Sequence, residues 1–183
     1  LDLFQANGHL EQEINQVQPS QHYAQPPQLF WNCGADCRAS FVAVPEQRLG
    51  ELAAPLVGRA AAYADIDADG DLDLLITQNG GPPLLLRNDQ ALGHHWLRVK
   101  LEGAGLNRDA VGARVDMTAN GVAQMRTVMP SRSYLAQVEL PVTFGLAEGP
   151  AGMAVDPVTG LVSWIPAVAG SFPVTLTATS AGG

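Results

Sequence analysis

The chain has 183 residues, 46% of them hydrophobic, enough for one sizeable domain or two small ones. No apolar run is long enough to span a membrane. Ten basic residues stand against 18 acidic ones for a net charge of −8, and no basic patch offers itself to phosphates, so a nucleic-acid partner is disfavoured.

In chain order the first elements are short strands. "LDLFQANGH" (1–9) and "QPPQLFWN" (25–32) read as strands joined by a Gln-rich excursion poor in apolar residues. Cys33 and Cys37 then flank "GAD", with apolar residues on both sides that read as a hairpin. The two could pair in an oxidising compartment or stand as two thiols in a loop. Zinc is disfavoured, because a lone C-x-x-x-C lacks a second ligand pair and the four histidines show no metal spacing.

"DIDADGDLD", residues 65–73, places five aspartates at every second position around one glycine. Ionised carboxylates this close repel one another, and a bound hard cation relieves the repulsion. Asp65, Asp67, Asp69 and Asp73 could supply carboxylates, Asp71 its backbone carbonyl, and Gly70 the tight turn. An EF-hand would need a Glu at the twelfth position and a helix on each side, but Ile76 stands there. "LDLLITQNG" (72–80) reads instead as a buried strand and turn, so the loop is expected between strands, with Asp73 in place of the missing Glu. A solvated acidic turn is the bland alternative.

The segment 58–88, "GRAAAYADIDADGDLDLLITQNGGPPLLLRN", resembles the FG-GAP or VCBS repeat, a β-propeller blade with D-x-D-x-D-G-x-x-D in its hairpin loop. The resemblance implies calcium held by Asp65, Asp67, Asp69, Asp71 and Asp73. A second copy supports a repeat architecture: "LDLFQANG" matches "LDLLITQNG", and "QPPQLFWN" matches "GPPLLLRN". Asp2 then corresponds to Asp73, and the other ligands of that copy would precede Leu1. The expectation is a fragment of a longer protein, with both ends locally unstable on their own.

From His94 the character changes. "HHWLRVKLEG" sets Trp96, Val99 and Leu101 among polar residues as a strand would, and "GARVDMTANGVAQMRTVMPS" reads as a hairpin turning at Asn120 and Gly121. "HWLRVKLEG", "NRDAVGARV" (107–115) and "SRSYLAQ" (131–137) resemble the ASPIC/UnbV domain, found after FG-GAP repeats in secreted proteins of the cartilage acidic protein type. His94 and His95 point to opposite faces of a strand and read as structural. Asn107, Arg108 and Asp109 read as an Asx-held turn with an Arg108 ion pair to Asp109 or Asp116, or else as a small-ligand contact. Ser131, Ser133 and Tyr134 lack any G-x-S-x-G or S-x-x-K context.

The last stretch, 140–183, carries "GPAGMAVDPVTGLVSW" and "GSFPVTLTAT", a turn between strands and a final alternating strand. It resembles the Ig-like, cadherin-like β-sandwich modules of bacterial surface proteins.

The sequence therefore predicts an all-β chain in four parts. These are a partial FG-GAP/VCBS repeat with a polar insert (1–50), a repeat with the calcium loop (51–90), an ASPIC/UnbV-like β domain (91–138) and an Ig-like segment (139–183). The expected function is non-catalytic: a calcium-binding module of a secreted or surface bacterial protein that binds a protein or glycan. The alternatives are a structural spacer and part of an enzyme whose catalytic residues lie elsewhere.

Overall fold

A computed structural model of the protein describes residues 2–34, 39–89, 95–103, 105–119, 122–146, 153–155, 162–164 and 174–179. Its strands in chain order are β1 (Leu3–Gln5), β2 (Gln28–Asn32), β3 (Phe41–Ala43), β4 (Gly58–Ala64), β5 (Asp73–Gln78), β6 (Leu84–Leu86) and β7 (His95–Val99), then β8 (Arg114–Ala119), β9 (Val122–Thr127), β10 (Val142–Leu146), β11 (Met153–Val155), β12 (Val162–Trp164) and β13 (Val174–Thr179). Helix among the described residues is limited to single turns, such as Ile14–Val17 and Glu46–Arg48. None is long and apolar enough to cross a membrane. The chain is all-β, as its alternating and β-branched runs imply. Its strands form the small sheets β1-β2-β3, β4-β5-β6, β13-β8-β9, β10-β7 and β11-β12, and no described sheet closes into a barrel or propeller.

Two compact units divide the chain: Leu1–Ala62 with Leu74–Leu86 and Ser133–Ala136, and Tyr63–Asp73 with Arg87–Arg132 and Gln137–Gly183. In the first unit the two segments that match in sequence pair in equal register. β1 pairs antiparallel with β2, Leu3 opposite Phe30 and Phe4 opposite Leu29. β5 pairs antiparallel with β6, Leu74 opposite Leu86 and Leu75 opposite Leu85. These are the same positions of the two sequence copies, so matched residues produce matched pairings. Cys33 is buried and disulfide-bonded, while Cys37 lies outside the described residues.

The second unit is organised by one apolar cluster of Leu97, Ala113, Val115, Met117, Ala119, Val128, Val142 and Phe144. β8 supplies three of these at alternate positions, the period-two signature of a strand with one face inward. β8 and β9 form the expected hairpin, with Ala119 opposite Val122; its turn residues, Asn120 and Gly121, lie outside the described residues. β10 pairs antiparallel with β7, placing Phe144 opposite Leu97. β13 pairs antiparallel with β8. Strands from the stretch that resembles an Ig-like module thus extend the sheets of β7 and β8.

Of the apolar residues the sequence sets together here, Val99 and Leu101 face the core and Trp96 does not. Leu97, not Trp96, is the buried residue at 1% exposure, with Val99 and Leu101 packed on the same cluster. Alternation then puts Trp96 and Arg98 on the opposite face, where both meet the aspartate loop.

Candidate metal centre

β4 ends at Ala64 and β5 begins at Asp73, so residues 65–72 connect two strands. The ends of the loop are its buried part: Asp65 is 4% exposed and Asp73 1%, whereas Asp67 and Asp69 are exposed. Ala68 (φ 61°) and Gly70 (φ 94°) take the left-handed conformation that reverses the chain. Gly70 is also pressed against the indole of Trp96, and a Cβ there would lie 2.0 Å from Cδ1. The loop needs glycine at this position for space as well as for φ.

Backbone amides hold the carboxylates in place. The Asp69 N–H donates to Asp65 Oδ1 (3.1 Å), and the Asp71 N–H donates to Asp69 Oδ1 (2.9 Å). Asp73 accepts twice, from the Ile66 N–H at Oδ2 (2.9 Å) and from the Asn88 N–H at Oδ1 (2.9 Å). The second bond has a counterpart in the other repeat copy, where the Asn32 N–H donates to Asp2 Oδ1 at 2.9 Å. Asp2 and Asn32 are the residues matched to Asp73 and Asn88, so the repeated sequence encodes a repeated strut.

Asp65, Asp67 and Asp73 each bring a carboxylate oxygen within 4.8 Å of the others, and Asp67, Asp69 and Asp89 form a second, exposed group of the same kind. Such clusters can hold a metal ion. The donors are all carboxylate oxygens, which suits a hard divalent cation and not a soft thiophilic one. Four of the five aspartates marked by the sequence fall in these groups; Asp71 falls in neither. Asp89 was not legible, because its match in the other copy is Cys33 and it lies outside the D-x-D pattern.

Two arginines complete the electrostatics. Arg87 grips Asp89 through Nε (2.7 Å) and Nη2 (3.0 Å), with Nη1 3.7 Å from Asp67 Oδ2. Arg98 donates from Nη1 to the Asp65 carbonyl (3.3 Å) and Asp65 Oδ2 (3.5 Å), and from Nη2 to Glu139 Oε2. Burial pushes the Glu139 carboxyl above its ordinary range, against the opposing pull of Arg98.

Desolvation, then the neighbouring charges of Asp69 and Asp73, push the Asp67 carboxyl up, while Arg87 pulls it back. A carboxyl raised on folding contributes stability at low pH that is lost as pH rises through its folded-state pKa. A cation bound to the ionised loop removes that loss. The gap in melting temperature between metal-saturated and chelator-treated protein is therefore expected to widen as pH is raised from about 4 to about 7. Melts followed by circular dichroism check this, and a gap independent of pH would contradict it.

The remaining candidates fall elsewhere. His94 lies outside the described residues, and His95 begins β7. Asn107 makes the expected Asx-held turn, its Nδ2 donating to the Val111 carbonyl (2.8 Å) and its Oδ1 accepting the Val111 N–H (2.9 Å). Of the two partners expected for Arg108, Asp109 or Asp116, Asp116 is taken by Arg114, which lies two residues away on the same face of β8 and bonds it at 2.6 to 2.9 Å. Arg108 and Asp109 line a shallow hollow of about 220 Å³ with Lys100, Glu102 and Gly103. Ser133 Oγ accepts the Ala61 N–H at 3.4 Å, and Tyr134 is exposed.

The sequence model of the ASPIC and UnbV family matches residues 103–164. The span contains the "NRDAVGARV" and "SRSYLAQ" motifs and runs on through β10, β11 and β12. Comparison with curated proteins and with solved structures finds no match.

Proposed function

We propose that the 65–73 loop is a structural calcium site in a non-catalytic, extracellular binding module, an FG-GAP-type repeat followed by an ASPIC/UnbV domain. The observation that carries this reading is the convergence of Asp65, Asp67 and Asp73 in a strand-to-strand loop whose backbone amides already fix Asp73 and Asp65. A site with an all-oxygen donor set of this charge suits calcium, which accepts roughly six to eight oxygens and tolerates irregular geometry better than magnesium. Asp65, Asp67 and Asp73 would hold the ion, with Asp69 at the exposed side. Its chemistry there is charge neutralisation: the ion ties the end of β4 to the start of β5.

The repeated Asp-to-Asn-amide strut supports the repeat part of the proposal, and the family match at 103–164 supports the domain that follows. The disulfide at Cys33 favours an oxidising, extracellular setting. For the binding role, β2 and β3 present Trp31 (55% exposed) directly opposite Val42 (42% exposed), an aromatic-aliphatic pair facing solvent. Exposed aromatic surface of this kind marks contact sites for a protein or glycan.

Glycan-array and protein-binding assays of the full chain, in calcium and in chelator, test this function. A saturable signal lost in Trp31→Ala is expected. A chain that binds calcium but no glycan or protein would instead be a spacer.

A further inference from the structure

Arg98 is an unusual neighbour for a cation site. Its guanidinium reaches the carbonyl and Oδ2 of Asp65, 33 positions away in sequence, and the carboxylate of Glu139, 41 positions away. The three side chains are largely withdrawn from solvent, at 21% exposure for Arg98, 9% for Glu139 and 0% for Asp65. Burying an ion pair costs desolvation that its mutual attraction offsets only with good geometry and further hydrogen bonds. What it does here is geometric. Asp65 Oδ1 takes the Asp69 N–H and Oδ2 faces Arg98, so both oxygens of one carboxylate are held from opposite sides.

An arginine alone would also repel a cation. Glu139 offsets that charge, and the pair can orient Asp65 while adding little net charge to the site.

We propose that Arg98 and Glu139 are positioning residues for the metal loop, Arg98 fixing Asp65 and Glu139 fixing Arg98, so that cation binding is coupled to the β7–β10 sheet. This rests on the calcium reading above and adds to it the residues that set affinity without touching the ion. Arg98 belongs to β7, and Glu139 lies three residues before β10. The coupling path is therefore short and contained in one compact unit. Lysine could not replace Arg98, because a single ammonium cannot span the Asp65 carbonyl, its carboxylate and Glu139 together.

The test is a calorimetric calcium titration of the full chain, carried to about 10 mM, on the parent, Asp67→Asn, Arg98→Lys and the double variant Arg98→Met/Glu139→Gln. The double variant removes one positive and one negative charge. Its affinity is expected to fall about 10–100-fold, the usual consequence of losing partners that orient metal ligands. Arg98→Lys should fall in the same direction.

Amide exchange adds a readout that a merely structural ion pair would not move. Calcium should slow exchange across residues 95–99 in the parent and not in Arg98→Lys, a comparison that holds even if the double variant does not fold. A folded double variant that binds calcium as the parent does, or equal protection of β7 in parent and Arg98→Lys, overturns the proposal and leaves the calcium site standing. No binding by the parent overturns the calcium reading and the positioning role together.

Discussion

Asp73→Ala is expected to cost roughly 3–6 kcal/mol of folding stability even in metal-free buffer, because a buried carboxylate that accepts two backbone N–H bonds contributes about 1.5–3 kcal/mol per bond. The side chain is 1% exposed. Its loss strands the amides of Ile66 and Asn88, which bracket the loop from both sides. Asp73→Asn should recover little, since one of its two terminal atoms becomes a donor facing a donor. Asp67→Asn makes the contrast: an exposed carboxylate whose ionisation is opposed by desolvation and then by Asp69 and Asp73 should, when neutralised, leave metal-free stability no lower than the parent's while weakening cation binding. Urea denaturation of the three proteins in chelator separates these roles. A loss below about 1 kcal/mol for Asp73→Ala would show that the two bonds do not hold the loop.

Phe144→Ala should be comparably severe, at roughly 3–5 kcal/mol, the usual range for truncating a buried aromatic. Phe144 is 0% exposed, pairs across the sheet with Leu97, and carries the Arg126 guanidinium 5.2 Å above its ring. The effect should spread. If β10 completes the core of β7, β8 and β9, the variant should speed amide exchange in β8 and β9 as well as in β10. Unchanged protection of β8 and β9 would instead make the C-terminal stretch an independent module.

What the sequence conveyed divides by distance along the chain. The aspartate loop was legible because its carboxylates, its turn glycine and its flanking strands all lie within about twenty residues. The likeness of 1–32 to 72–88 was legible for the same reason, two local patterns read side by side, and the registers of β1–β2 and β5–β6 are equal at the matched positions. Arg98, Glu139 and Asp89 were not, since each reaches the loop from a distant segment and no local spacing marks it. The place of Trp96 was missed for a different reason. "HWLRV" carries large apolar groups on both faces, so alternation could not say which side met the core. The C-terminal stretch shows the limit most clearly: its turns were read locally, but β10–β7 and β13–β8 pairings are long-range and leave no periodic trace.

The most direct test of the calcium site is a thermal melt of the full chain with 10 mM calcium and with chelator, on the parent and on Asp67→Ala. Extracellular sites bind at about 10⁻⁴ to 10⁻³ M, so at the tight end 10 mM is about 100 times Kd and adds about 2.7 kcal/mol. That corresponds to a rise of about 5–10 °C for a chain of this size. Such a rise is expected in the parent and its loss in Asp67→Ala. Melting temperatures unmoved by calcium in both proteins would mean that the loop is an acidic turn held by its own amide bonds and not by a cation.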